Sequence, residues 1–170
     1  MTWRGLTQRI EVLSRRWPHF LNNFTNRALP ADVNREEELS TFVVHRSKIN
    51  KETLFVREQL FLPRPGKTNR LETSVNRTSC LLRRTIWAIC KKHFDINQKS
   101  PAIGRGRGPA SAVLQQNLSF DADGDPHPTH ANIIGWYGNS GKTLKELEKH
   151  HWKFVAQKIA AQFRYMERPK

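Results

Sequence analysis

LETSVNR, residues 71–77, is the stretch with the clearest strand pattern in the chain. Its first, third and fifth positions are apolar or β-branched and its second, fourth and sixth are polar, which is the alternation of a strand that buries one face. Directly after it, Thr78 or Ser79 can cap a helix that runs to about Phe94. The sequence therefore predicts a strand of a sheet followed by a helix that covers the sheet.

The predicted helix has two unlike faces, as a helix packed on a sheet requires. Its inward positions are mainly apolar and its outward positions mainly cationic. The inward stripe consists of Leu82, Ile86, Ile89 and His93, and the outward face of Arg83, Arg84, Trp87 and Lys91.

Further elements are predicted on both sides of this unit. The β-branched and aromatic residues at 39–46 (LSTFVVHR) and 54–62 predict two strands. Because strands and helices alternate irregularly, the sequence predicts an α+β fold with a small mixed or antiparallel sheet covered by helices. The later elements are a short helix at 110–116, a short strand at 118–120, a buried strand at 131–136 (ANIIGW) and a final helix at 143–165 whose inward stripe includes His151.

The first 38 residues are predicted to form an extension to a single domain at 39–170. Apolar residues spaced by three and four positions from Trp3 to Trp17 predict an amphipathic helix that Pro18 ends or kinks. The polar segment 27–38, with three consecutive glutamates, is expected to be a linker. The segments 64–70 (RPGKTNR) and 97–108 (NQKSPAIGRGRG) are predicted loops.

Positive charge is concentrated in the middle of the chain. The 170 residues carry a formal net charge of +14, and residues 46–107 hold fifteen Lys or Arg against four acids, an excess of eleven. Because an unpaired cationic field repels itself, an excess confined to one segment indicates a polyanionic partner, with nucleic acid as the leading one. Trp87, Trp136 and Tyr137 lie near cations, which suits the base stacking that holds RNA and single strands.

The leading prediction is thus a basic nucleic-acid-binding protein, with RNA or single strands favoured, working beside other protein subunits in a nucleoprotein complex. Arg105 and Arg107 sit between glycines that let backbone approach a ligand. The predicted contacts are mainly Lys and Arg: Arg46, Lys48, Arg64, Lys67, Arg70, Arg77, Arg83, Arg84, Trp87, Lys91, Arg105, Arg107 and Lys142.

Two other functions fit the same residues. Glu72, Arg77 and His130 lie at or beside predicted strands and have the chemistry of a metal-independent ribonuclease. Such an enzyme, or a toxin of this type, needs one group to take the 2′-hydroxyl proton, another to protonate the leaving oxygen, and a cation to stabilise the phosphorane. The second alternative is an interaction subunit whose basic surface docks an acidic protein.

No metal or cofactor is expected. GNSGKT, residues 138–143, departs from a phosphate loop because Trp136 stands where the first glycine is needed. Asp121, Asp123 and Asp125 depart from a calcium loop because Gly124 comes at the fourth position, not the sixth. The chain lacks a signal-peptide pattern and an apolar run of membrane-spanning length, so a cytoplasmic protein with reduced cysteines is expected.

The strings LETSVNR and HANIIGW, at residues 71–77 and 130–136, resemble those of a family of small uncharacterised bacterial proteins. The resemblance runs from about residue 39 to residue 163. It implies a bacterial or phage origin and a single domain, and it implies no activity.

Overall fold

In the computed structural model, seven strands form one sheet in which every neighbouring pair is antiparallel. The structure describes residues 29, 32–66, 69–79, 81–97, 100–122, 124–138 and 146–169. The order across the sheet is β5-β6-β3-β1-β4-β7, and β2 pairs with β3 beside this path. The strands are β1 (Glu38–Val43), β2 (Arg64–Pro65), β3 (Leu71–Arg77), β4 (Gly104–Pro109), β5 (Ser119–Asp121), β6 (His130–Ile134) and β7 (Arg164–Glu167).

In the described part of the chain, three α-helices accompany the sheet, which agrees with the predicted α+β class. They are α1 (Arg83–Ile89), continued by one turn of π-helix at Cys90–Phe94, α2 (Ser111–Leu114) and α3 (Glu146–Ala160). Short 3-10 turns lie at Arg46–Lys48, Glu58–Leu60 and Asp95–Asn97. The predicted N-terminal helix, the proposed linker up to residue 28 and most of the GNSGKT segment lie outside the described residues.

The main core lies between one face of the sheet and helix α3. The odd positions of β3 are buried, as the alternation of LETSVNR predicts. On α3 the buried side chains recur every three or four residues, so a single helical face meets the sheet. This face consists of Trp152, Val155, Ala156, Ile159 and Ala160.

Glycines on strand β4 allow this core to pack closely. A Cβ atom at Gly108 would lie 2.5 Å from the ring of Phe163, and one at Gly106 would lie 2.7 Å from Val56. Such distances are shorter than any real carbon contact, so side chains at these positions would displace the core. Residues 104–108, predicted as loop, are therefore part of a central strand whose glycines receive the side chains of neighbouring elements.

Other sequence predictions of secondary structure are wrong in their details. Residues 54–62 do not form a strand, because Leu54 has a φ of 57° and the chain turns into the 3-10 helix at Glu58–Leu60. The last helix ends at Ala160, after which residues 164–167 form the edge strand β7. His151, predicted to face inward, is exposed, and Trp152 takes the buried position.

The hydroxyls predicted to cap helix α1 join it to the sheet instead. Ser79 Oγ accepts a hydrogen bond from the Glu38 backbone N–H at 2.5 Å, and Thr78 Oγ1 lies 2.9 Å from Ser40 Oγ. The N-cap of helix α1 is accordingly Leu82, three residues after Ser79 and four after Thr78, and it has no side-chain cap. Leu82 is exposed, whereas Ile86 is buried as predicted.

Candidate nucleic-acid interface

The second face of the sheet is polar. Strand alternation places Ser40 and Asn76 there, because they are paired across β1 and β3 while their neighbours Leu39 and Arg77 face the core. Helix α1 covers part of this face through a small apolar cluster of Phe42, Ile86, Cys90 and Ala102. The other residues on what we call the polar face are Glu38, Glu72, Ser74, Arg105, Arg107, His130, Asn132, Arg164 and Met166.

The guanidinium of Arg105 is buried at the base of this face. Its Nη1 donates to Ser40 Oγ at 2.6 Å and to Glu38 Oε1 at 3.2 Å, and only 6% of the residue is exposed. Burial lowers the pKa of Arg105 below its usual value; Glu38 opposes the shift, while the charges of Arg107 and Arg83 add to it. Arg105 is therefore a fixed cation that supports the surface. The sequence had predicted it to lie in a loop.

Arg107 and Arg164 present charge to solvent above this base. Arg107 is exposed and donates from Nε to Glu38 Oε2, so one carboxylate serves both Arg105 and Arg107. Arg164 is exposed and lies directly opposite Arg107 in the ladder between β4 and β7. Like charges directly opposite in a sheet are destabilising.

We call Arg83, Arg105, Arg107 and Arg164 the arginine cluster. Among the described residues, Glu38 is the carboxylate that forms ion pairs with it. The cluster thus has four positive charges and Glu38 supplies one negative charge. This excess of positive charge agrees with the excess seen in the sequence.

The outward face of helix α1 extends this positive surface. Arg83, Arg84 and Lys91 are exposed, as predicted from the helical spacing. Trp87, predicted to be outward, is half-buried: its ring packs on Phe42 at a centroid distance of 6.0 Å, and the Arg168 guanidinium carbon lies 5.3 Å from the ring centroid. The side chain of Trp87 therefore contributes mainly to packing.

The other two aromatic candidates lie away from the arginine cluster. Trp136 is buried in the main core. Tyr137 is 69% exposed, and its ring lies 5.7 Å from that of His151. Only Tyr137 of this pair presents a ring that a base can stack on.

The remaining predicted contacts are spread over the molecule. Arg46 is exposed and Lys48 half-buried on a 3-10 turn, and Arg64 is exposed on β2. Arg70 forms an ion pair with Asp121 at 2.5 Å and lies 3.8 Å from Glu72. Lys67 and Lys142 lie outside the described residues.

The contacts of Arg77 indicate a role in stabilising the fold. It is 1% exposed and donates to both carboxylate oxygens of Glu37, at 2.8 and 2.7 Å, and to the backbone carbonyl of Asp32 at 3.2 Å. Glu37, from the acidic run expected to form a linker, is itself buried. Arg77 thus joins residues 32–37 to the sheet and does not reach the polar face.

The structure does not bring Glu72, Arg77 and His130 together. His130 pairs with Asn76, which is four residues beyond Glu72 on the same strand. At about 3.3 Å per residue the two side chains are roughly 13 Å apart along the strand. Arg77 faces the core, on the opposite side. The three residues therefore lack the common phosphate position that the ribonuclease hypothesis requires.

His130 instead belongs to a histidine cluster that the sequence did not predict. The ring of His127 lies 5.9 Å from that of His130 and 4.9 Å from that of His93, between centroids. Thr129 Oγ1 lies 2.9 Å from His127 Nδ1. The spacing of His127 and His130 was visible in the sequence, but the approach of His93 depends on the π-helical turn at the end of α1.

Within the described ranges, no three His, Cys, Asp or Glu side chains are arranged to hold a metal ion. Cys90 is buried, and burial, together with nearby Asp95, raises its pKa to about 12, so it remains a thiol. In the part of the chain that the structure describes, no helix has the length and apolar character needed to cross a bilayer.

Comparison with known protein families, with curated proteins and with solved structures gives no match. Function is therefore inferred from the chemistry of the site.

Proposed function

We propose that the protein binds nucleic acid through the polar face of its sheet, with RNA or single strands as the favoured ligand, as a subunit of a bacterial or phage nucleoprotein complex. The observation that carries this proposal is the position of Arg107 opposite Arg164, above buried Arg105, with Glu38 as the shared carboxylate. A phosphate between the two exposed guanidiniums removes their repulsion and accepts charge-assisted hydrogen bonds from both.

Other polar groups of this face support the preference for unpaired bases. Ser74, Asn76 and His130, on β3 and β6, are partly or fully exposed on the same face of the sheet as the arginine cluster. Hydroxyl, amide and imidazole groups bond the base edges that only single-stranded nucleic acid leaves open.

Salt dependence tests this proposal. If the Arg107 and Arg164 pair neutralises one phosphate of a single strand and Arg83 neutralises a second, log K falls by about 0.7 per phosphate per log unit of salt. The affinity for a labelled oligouridine is then expected to fall about sevenfold between roughly 50 and 200 mM salt. Fluorescence anisotropy measures it, with duplex DNA for comparison. A flat salt dependence would contradict binding through the cluster.

The histidine cluster supports a second candidate function, cleavage of RNA. Of two neighbouring imidazoles, a neutral one can take the 2′-hydroxyl proton while a protonated one gives its proton to the 5′ oxygen that leaves. The 2′ oxygen then bonds to phosphorus as the bond from phosphorus to the 5′ oxygen breaks, and no metal is needed. The candidate pair is His127, which is 8% exposed, and His130, which is half-buried; their rings are 5.9 Å apart.

This second function predicts chelator-resistant cleavage that needs the 2′-hydroxyl. Single-stranded RNA, but not DNA of the same sequence, is cut in the presence of EDTA, and His130→Ala removes the activity. His150→Ala, on the exposed side of α3, is the matched control. Gel analysis of end-labelled strands gives the result. Wild-type protein that binds RNA and leaves it intact would eliminate the enzyme and retain the binding protein, which is the outcome we expect.

A further inference from the structure

Strand β3 changes partners along its length, and the change opens a cleft in the sheet. Its last residues, Asn76 and Arg77, pair with β1, whereas its first two, Leu71 and Glu72, pair with β2. Between these two ladders, β1 and β3 separate around a cleft of about 420 Å³. This volume lies in the range of small-ligand sites, about 300–1,000 Å³.

Part of the wall of this cleft is apolar and aromatic. Phe42 and Phe94 lie on the polar-face side, with ring centroids 5.3 Å apart. Leu60 and Leu62 also line the cleft and pack against the main core. These residues offer aromatic and aliphatic contacts to the flat ring of a ligand.

The polar groups that line the cleft have the chemistry needed to recognise a nucleotide. Lys48 and Arg64 supply positive charge, His45 supplies an imidazole, and Glu72 supplies a carboxylate that is about one-fifth exposed. Gln59 also lines the cleft, and its Oε1 is buried with no hydrogen-bond partner among the described residues. A buried acceptor without a partner is costly, so a donor from a ligand stabilises it.

We infer that this cleft binds a single nucleotide and prefers guanine. Of the four RNA bases, guanine alone presents two adjacent N–H donors on its pairing edge, which match the two oxygens of Glu72. Lys48 and Arg64 supply the charges for its phosphate, and Phe94 provides a ring for the base. The inference rests on the proposed function insofar as the cleft opens on the same polar face as the arginine cluster.

Calorimetric titration of the whole protein with GMP, AMP, CMP, UMP and ribose 5-phosphate tests the cleft directly. GMP is expected to bind most tightly, and the isosteric Glu72→Gln variant to lose roughly tenfold in GMP affinity together with the preference over AMP. Glu52→Gln, an exposed acid outside the cleft, is the matched control and should bind GMP like the wild type. No GMP binding by the wild type, or equal effects of the two variants, would overturn the inference.

A second titration distinguishes a free nucleotide from one within a strand. Oligouridine with one central guanosine is compared with oligouridine alone: tighter binding of the guanosine strand places a strand nucleotide in the cleft, and GMP binding without that gain assigns the cleft to free nucleotides. Either result supports the inference that the cleft binds a nucleotide. Since oligouridine lacks guanine, its salt-dependent binding tests the arginine cluster separately. If one of the two proposals fails, the experiment on the other can still be interpreted.

Discussion

Replacing Arg77 with alanine is expected to lower the free energy of unfolding by about 3 to 5 kcal/mol, because it leaves a buried charge without its partner. The substitution leaves Glu37, which is 5% exposed, without the two hydrogen bonds that neutralise its charge. It also removes the donor to the Asp32 carbonyl and so weakens the attachment of residues 32–37 to the sheet. Urea unfolding followed by the fluorescence of the buried tryptophans measures the change.

Two further variants distinguish the effect of breaking the buried ion pair from the effect of removing an arginine side chain. Arg107→Ala removes the same side chain from an exposed site on the other face, and its cost should stay below about 1 kcal/mol. Glu37→Gln combined with Arg77→Met removes both charges, and it should recover part of the lost stability because no uncompensated charge remains. An Arg77→Ala protein within about 1 kcal/mol of the wild type would show that the pair is not a structural requirement.

The contrast between Arg77 and Arg107 shows which structural features could be predicted from the sequence and which could not. LETSVNR predicted its strand with the observed bounds, and the same alternation places Arg77 on the apolar face with Val75. The charge of Arg77 suggested catalysis and nucleic-acid binding, whereas its position in the alternation indicated burial. The partner that makes its burial tolerable, Glu37, lies forty residues earlier, and no local pattern links the two.

GRGRGP, residues 104–109, was missed as a strand for a related reason. Glycine is a loop signal when its neighbours are unknown, but here each glycine faces a large side chain from another element, such as Phe163 against Gly108. The period of two that places Arg105 and Arg107 on one face was present in the sequence. That only Arg107 reaches solvent depends on Ser40 and Glu38, which come from β1.

Distances between sites were beyond sequence reasoning because they depend on strand register. Glu72 and His130 were each placed correctly at a strand, yet the pairing of His130 with Asn76 separates them along the sheet. The cleft beside Glu72 exists because β3 exchanges one partner strand for another, and the β2 ladder that causes this is only two residue pairs long. A ladder of that length leaves no recognisable pattern in RPGKTNR.

Removing Arg107 and Arg164 together is expected to have the largest effect on oligouridine binding. The two charges are directly opposite on β4 and β7, so the pair forms one phosphate site above Arg105. At a contribution of about 0.7 per phosphate, loss of this site should make the slope of log K against log salt shallower by about 0.7, which is about a fivefold loss of affinity near 0.1 M salt relative to 1 M. Anisotropy titration of the Arg107→Ala, Arg164→Ala protein with oligouridine measures both quantities.

The matched control is Lys153→Ala with Lys158→Ala, which removes the same charge from the exposed side of α3, in the layer on the other face of the sheet. If affinity follows net charge alone, the two double variants lose equally, and the arginine cluster has no special role. If the polar face is the interface, the control retains nearly the full slope. Stability gives an independent check, because removal of two facing like charges relieves repulsion and should change the free energy of unfolding by less than about 1 kcal/mol. A weakened double variant that remains fully folded would therefore assign the loss to phosphate contacts and not to damage of the sheet.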